Sequence, residues 1–246
     1  MPALEKDLEL CSQLVWDTQY WGYPVARLNP AKLSPPTLSA AIAWAQEAGV
    51  RCLYFLADPS CAETLKLASD GAFRFVDMRI DLEKRDTFGY LNPAGIREAV
   101  YDDVPRLAAI ARVAHTDSRF FKDTMFDRKK AACLYARWIE RDFHENTILV
   151  AADQGVATPT GYVTCQKESD TIARIGLLAV SVDAQGRGIG RDLVRTAIRW
   201  SAQNGCRTVR VATQAGNVKA LRLYESEGFL TRNVAAWFHR WFDKSA

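Results

Sequence analysis

The chain has 246 residues, of which 48% are hydrophobic and 25% charged, and 32 Lys and Arg against 29 Asp and Glu leave a formal charge of +3. Such a chain is neither disordered nor collagen-like, is long enough to bury a core without staples, and carries no basic stripe for nucleic acid. No apolar run approaches the roughly 18 residues that cross a bilayer, and Met1-Pro2-Ala3-Leu4-Glu5-Lys6-Asp7 has no signal-peptide core, so a cytoplasmic chain without a membrane partner is expected. Cys11, Cys52, Cys61, Cys133, Cys165 and Cys206 form no C-x-x-C pair and no zinc-spaced cluster with histidine. They read as reduced, mostly buried thiols, and no metal is expected.

In chain order, the first legible unit runs from Ala41 to Phe73 as helix, strand and helix. Thr87 to Pro93, with Gly89, Asn92 and Pro93, reads as a linker between a domain over 1–90 and another over 95–246. Ile96 to Val100 is a short strand, and Asp102-Asp103 caps a helix carrying Val104, Leu107, Ile110 and Ala111. A second helix, Arg128 to Phe143, sets Tyr135, Trp138 and Ile139 on one apolar side. Thr147 to Ala152 and Gly161 to Cys165 are strands joined through Gly155 and Pro159, and Ala173 to Val182 is a buried strand. Leu193, Val194, Ala197, Ile198 and Trp200 recur at helical steps, closed by Asn204-Gly205. Thr208 to Thr213 alternates as a strand, Val218 to Glu225 is a helix capped by Asn217 and stopped at Gly228, and Ala236 to Trp241 is an aromatic strand. The order implies an α/β (α+β) chain with a mixed central sheet flanked by helices.

The two halves echo each other. Ala41, Ile42, Trp44, Gly49 and Arg51 recur as Ala197, Ile198, Trp200, Gly205 and Arg207, and Leu65, Leu67 and Phe73 as Leu221, Leu223 and Phe229, all at one offset. Two readings fit: convergence of two helix-strand-helix units, or a duplicated half-domain. A duplicate would be disarmed, since Cys61 falls opposite Asn217, Ala68 opposite Tyr224, and no Gly-rich loop precedes its helix.

Chemistry concentrates in Gln185-Gly186-Arg187-Gly188-Ile189-Gly190, set between a strand and a helix as Q-x-x-G-x-G. Glycines there let main-chain N–H groups turn toward an anion, and the following helix, Arg191 to Trp200, adds its own unpaired donors and dipole. No Gly-Lys-Ser/Thr follows, so it is not a Walker loop, and its spacing is not the dinucleotide fingerprint. A tight turn rich in glycine for steric reasons is the other reading.

With Leu177-Leu178-Ala179-Val180 before the loop and Asn217-x-x-Ala220-x-x-x-Tyr224-x-x-x-Gly228-Phe229 one strand later, residues 96–246 resemble the GNAT superfamily of acetyl-CoA-dependent N-acetyltransferases. The resemblance implies a GNAT fold preceded by a partial GNAT-like domain. It assigns Leu178, Ala179 and Val180 to the pantetheine arm, Gln185, Gly186, Arg187, Gly188, Ile189, Gly190 and Arg191 to the pyrophosphate, Asn217 to the cofactor side, and Tyr224 to protonation of the leaving thiolate.

A narrower likeness rests on Trp16-Asp17-Thr18-Gln19-Tyr20-Trp21-Gly22, Ser118-Arg119-Phe120, Tyr135-Ala136-Arg137-Trp138-Ile139-Glu140, Ala173 to Leu178, and Arg210-Val211-Ala212-Thr213-Gln214-x-Gly216-Asn217. These are similar to the dTDP-fucosamine acetyltransferases, which acetylate the 4-amine of a nucleotide-linked dideoxy sugar. The segment from Phe121 to Asp127 departs from that pattern. The likeness implies a nucleotide-sugar acceptor and a homodimer. Arg119 and Lys122 could then pair with a diphosphate, and Phe120 or Phe121 could stack on the base or cover the sugar; a surface loop with aromatics folded inward is the alternative. The general base is not identified, with His115, Asp117, Glu168, Asp170 or an ordered water in contention. Competing functions are a GNAT enzyme for another small amine or a protein N-terminus, and a non-catalytic acyl-CoA sensor, which would need neither Tyr224 nor product release.

Overall fold

The computed structural model describes residues 9–90, 93, 95–152 and 158–243. Met1 to Asp7, Asn92 in the expected linker and Gly155 in the expected turn lie outside the described residues. In chain order the elements are β1 (Cys11–Gln13), α1 (Val15–Trp21), β2 (Val25–Leu28), α2 (Pro35–Glu47), β3 (Cys52–Ala57), α3 (Ala62–Asp70), β4 (Arg74–Arg85), β5 (Ile96–Glu98), α4 (Val104–Ala114), α5 (Arg119–Lys122), α6 (Arg128–Glu145), β6 (Thr147–Ala152), β7 (Pro159–Lys167), β8 (Ile172–Val180), α7 (Ile189–Gln203), β9 (Thr208–Gln214), α8 (Val218–Ser226) and β10 (Leu230–Trp241). No helix among the described residues is long and apolar enough to cross a membrane.

Two compact units emerge, one comprising the residues up to Arg79 together with those from Val234, the other Ile80–Asn233. In the first, β2 and β3 are parallel, β1 lies antiparallel to β2, and Ala236–Trp241 of β10 run antiparallel to Ala57–Cys52 of β3. β3 is the unbroken apolar run Cys-Leu-Tyr-Phe-Leu-Ala because elements cover both its faces. Ser34 caps α2 by accepting from the Thr37 N–H, and prolines occupy the first turn, where their missing N–H costs nothing. Leu38, Ala41 and Ala45 then turn into a core with Leu53, Phe55, Phe73 and Phe238.

The second unit has strand order β4-β9-β8-β7-β6-β5, antiparallel from β5 to β8 and parallel between β8 and β9. On one face, Leu193, Val194, Ala197 and Ile198 of α7 pack on Val163, Ile175, Val209, Val211 and Leu82, each fully buried aliphatic contributing about 1.5–3 kcal/mol. Because strand side chains alternate, Tyr162 and Thr164 of β7 face the other side, toward α4 and α6. From residue 96 the expected element order is found, with the one-turn α5 added. Asp103, expected to cap α4, instead accepts from the Val100 N–H at 2.8 Å and pairs with Arg97. β10 begins at Leu230, ahead of the expected Ala236, because its first residues are exposed and lack a buried pattern.

The compact units divide the chain within β4, between Arg79 and Ile80, and within β10, between Asn233 and Val234. The end of β10 joins the first unit, and Ile80–Arg85 of β4 join the second, where Glu83 pairs with Arg210 at 2.9 Å. The residues just after β4 are tied to the second unit too: Thr87 donates to the Cys206 carbonyl at 2.8 Å and Asp86 N–H to that of Arg207. The offset relating the halves superposes more than residue identities, since it carries Ala62–Asp70 onto Val218–Ser226 and Arg74–Arg85 onto Leu230–Trp241.

Candidate active site

The site begins with a strand pair that parts. β8 and β9 are paired from Ile172↔Thr208 to Ile175↔Val211, and the register ends there although β8 continues to Val180 and β9 to Gln214. On its other side β8 stays paired with β7 up to Val180↔Gly161. The edge of Gly176–Val180 that faces β9 therefore presents backbone groups with no ladder partner, groups that need a hydrogen-bonding occupant. Leu178 and Val180 are half-buried there and Ala179 is buried.

A bulge shapes this edge. The β7–β8 register shifts between Val163 and Cys165, and Thr164 Oγ1 accepts from the Leu177 N–H at 2.8 Å. A Cβ on Gly176 would lie 2.6 Å from that oxygen, so only glycine fits. Sequence reading passed over both residues; an isolated glycine inside an apolar strand was the available signal.

Beyond β8, Gly186 (φ +79°) and Gly188 (φ +82°) hold the left-handed conformation that glycine adopts without strain, and nothing lies within 4 Å of a Cβ on either. The N–H groups of Gly186, Gly188, Ile189 and Gly190 have no backbone acceptor among the described residues, and they stand at the start of the 15-residue α7. This open cradle of donors at a positive dipole end fits a pyrophosphate. Two of the other three expected members have structural work. Gln185 Nε2 donates to the Val180 carbonyl at 3.2 Å, latching the loop to β8, and Arg191 pairs with buried Glu227 at 3.3 Å, beside Arg195 at 2.9 Å. Arg187 is exposed on the loop.

Asn217 caps α8, its Oδ1 accepting from the Ala220 N–H at 3.1 Å. About two turns on, Tyr224 is buried against Phe229 at 5.5 Å between ring centres. Its hydroxyl has no hydrogen-bond partner among the described residues and keeps a small contact with solvent. Burial pushes the phenol well above its ordinary value, so it holds its proton at neutral pH. α5 lies close by: Lys122 Nζ is 3.8 Å from where a Gly216 Cβ would stand. Within α5, Phe120 is buried edge-on against Phe126 and Trp138, with the Arg119 guanidinium 4.1 Å over its ring, while Phe121 is half-buried.

The residues in contention as base separate. Glu168 and Asp170 lie at the Ile172 end of β8, about 20 Å of strand from Leu178. Burial raises the Glu168 carboxyl, but pairs with Arg174 and Arg210 outweigh it and hold it below its usual range. Asp117 is exposed. His115, at the end of α4, hydrogen-bonds the buried Tyr162 hydroxyl through Nε2 at 2.9 Å and stacks on Tyr135 at 4.6 Å. Burial pushes His115 down to about 4, so it is neutral, and pushes Tyr162 up. Among the described residues no group of His, Cys, Asp and Glu is placed to hold a metal ion.

The chain is similar to known proteins. The acetyltransferase (GNAT) family profile matches residues 110–229. The dTDP-fucosamine acetyltransferase of Escherichia coli O6:H1 (strain CFT073) is 31% identical over 233 residues, 92% of this chain and 96% of that one. The spore coat polysaccharide biosynthesis protein SpsD of Bacillus subtilis (strain 168) is 27% identical over 58% of this chain and 50% of its own. Among solved structures, a tandem GNAT protein from the clavulanic acid biosynthesis pathway superposes with a TM-score of 0.61 at 14% identity, over 92% of this chain and 77% of that one. The profile falls within the unit that carries the parted strands and the glycine loop, and the identity to the E. coli enzyme spans nearly all of both chains; the chain belongs to the acetyltransferase (GNAT) family and is an N-acetyltransferase.

Proposed function

We propose that this enzyme transfers acetyl from acetyl-CoA to the amine of a nucleotide-linked amino sugar such as dTDP-fucosamine, by direct attack in a ternary complex. The observation that carries the reading is the 31% identity to a dTDP-fucosamine acetyltransferase across 92% of the chain. Bound acetyl-CoA supplies an acyl group activated as a thioester. The Gly186–Gly190 donors receive its pyrophosphate and the open edge of β8 receives the pantetheine arm. A backbone N–H near Leu178 stabilises the developing oxyanion, and Tyr224, which keeps its proton, gives it to the departing sulfur. Holding both reactants along one strand edge contributes most of the rate. Arg119 and Phe121 wall the acceptor, with Phe120 as the packed support beneath them.

The first 90 residues are proposed as a truncated GNAT-like domain and residues 95–246 as the catalytic one, supported by the matching element bounds of the two halves. A cytoplasmic homodimer goes with the reading, and sedimentation equilibrium tests the dimer. The test of function is release of free CoA thiol with a panel of dTDP-, UDP- and GDP-linked amino sugars, checked by product mass. Turnover with a dTDP-linked 4-amino sugar is expected. Inertness of every nucleotide sugar, with acetyl-CoA still bound, sinks the acceptor assignment.

A further inference from the structure

One carboxylate beside the parted strand is used by nothing described so far. Asp142, in the last turn of α6, is buried, yet its two oxygens differ. Oδ1 accepts from Arg141 Nη2 at 3.0 Å, from Arg141 Nε at 3.3 Å and from Asn146 Nδ2 at 3.0 Å. Oδ2 has no hydrogen bond among the described residues and keeps a small contact with solvent. It opens at Gly176: a Cβ there would lie 3.8 Å from Oδ2. Gly176 itself is exposed, although its neighbours along β8 are buried or half-buried. The missing side chain thus lets Thr164 Oγ1 and Asp142 Oδ2 both come close to β8, two residues from Leu178, with the carboxylate oxygen beside the strand.

The surroundings suit a cation at that oxygen. His115 is neutral and bound to Tyr162, Tyr162 keeps its proton partly because Asp142 is near, and Tyr135 stacks on the imidazole. Arg141, the neighbouring cation, is engaged on the opposite oxygen and on Glu145. An oxygen held by three donor contacts leaves its partner oxygen oriented, as preorganised recognition requires.

We propose that Asp142 seats the acceptor amine at Oδ2 and takes up its proton before attack on the thioester, a deepening that rests on the acetyl-transfer reading above. The amine arrives as an ammonium and gives one proton to Oδ2, which passes it to solvent. The freed nitrogen lone pair forms the C–N bond, the C–S bond breaks, and the sulfur takes the Tyr224 proton. The surplus proton on the new amide nitrogen leaves through solvent and restores Tyr224, so the net products are amide, thiol and one proton.

The test compares wild type with Asp142→Asn on whichever amine turns over fastest from a panel of nucleotide-linked amino sugars, an aminoglycoside, a peptide N-terminus and 2-aminoethanol. Asparagine keeps an acceptor at Oδ1, so acetyl-CoA affinity should be unchanged and the fold cooperative, with the melting transition lowered by the lost charge facing Arg141. We expect kcat/KM for the amine to fall about 100-fold or more at pH 7, with the residual rate climbing about tenfold per pH unit as the amine sheds its own proton. Asp142→Glu should recover part of the rate and the wild-type pH profile, which a purely structural role would not allow. A rate for Asp142→Asn within threefold of wild type overturns this inference whatever the acceptor. Turnover with a non-nucleotide amine alone, lost in Asp142→Asn, overturns the acceptor assignment and sustains Asp142. No turnover with any amine overturns both.

Discussion

The phenol of Tyr224 and the imidazole of His115 are both shifted by burial, in opposite directions, because burial disfavours whichever form is charged. Tyr224 keeps its proton beyond the ordinary phenol range, so no alkaline loss of kcat from this group is expected up to about pH 10. Tyr224→Phe should lower kcat by about ten- to a thousandfold while acetyl-CoA binding, measured by calorimetry, survives. His115 sits below its unfolded value, so the unfolded chain binds the extra proton between the usual 6.5 and about 4. Stability should therefore be full above pH 6.5 and decline as the pH falls toward 4, by about 3 kcal/mol. Melting temperatures across that range check this, and His115→Gln should flatten the decline.

At the scale of the elements, β8 depends on one side chain from its neighbour. Thr164 Oγ1 replaces the ladder acceptor that the bulge takes from the Leu177 N–H. Thr164→Val keeps the shape and removes the acceptor; leaving a buried donor unpaired should cost about 1–3 kcal/mol in denaturant unfolding. The loop before α7 makes the opposite demand. A side chain on Gly188 meets no atom, so Gly188→Ala is penalised only through its positive φ, by about 1–2 kcal/mol. Because the loop can escape that strain by turning its N–H groups away, acetyl-CoA affinity should fall more than thermal stability. Periodicity revealed α7, β9 and α8 because each buries one face. It did not reveal α5, a single turn, or the start of β10, whose residues are exposed.

At the scale of the molecule, the two units trade strand ends. Leu82 of β4 is fully buried in the core of the second unit, and Thr87 and Glu83 bind β9 and the turn before it. A fragment covering residues 95–246 would lack all three, together with the Tyr90 hydroxyl that donates to the Glu227 carbonyl. It should fail to show a cooperative thermal transition by calorimetry, whereas the full chain should show one. A fragment that melts cooperatively with the activity of the whole chain would show that the exchanged strand ends are dispensable.

By itself the sequence determined the helix and strand order after residue 96, the glycine loop and the Asn217 cap, because these are written in local periodicity, left-handed backbone demands and short spacings; Tyr224 was singled out by family resemblance. Only the tertiary structure decided where β8 leaves β9, that Glu168 and Asp170 belong to the far end of that strand, and that Phe120 is packed while Asp142 meets Gly176. Those outcomes join residues from different elements. A carboxylate in an amphipathic helix looks like any solvated charge until a strand with a missing side chain is laid against it.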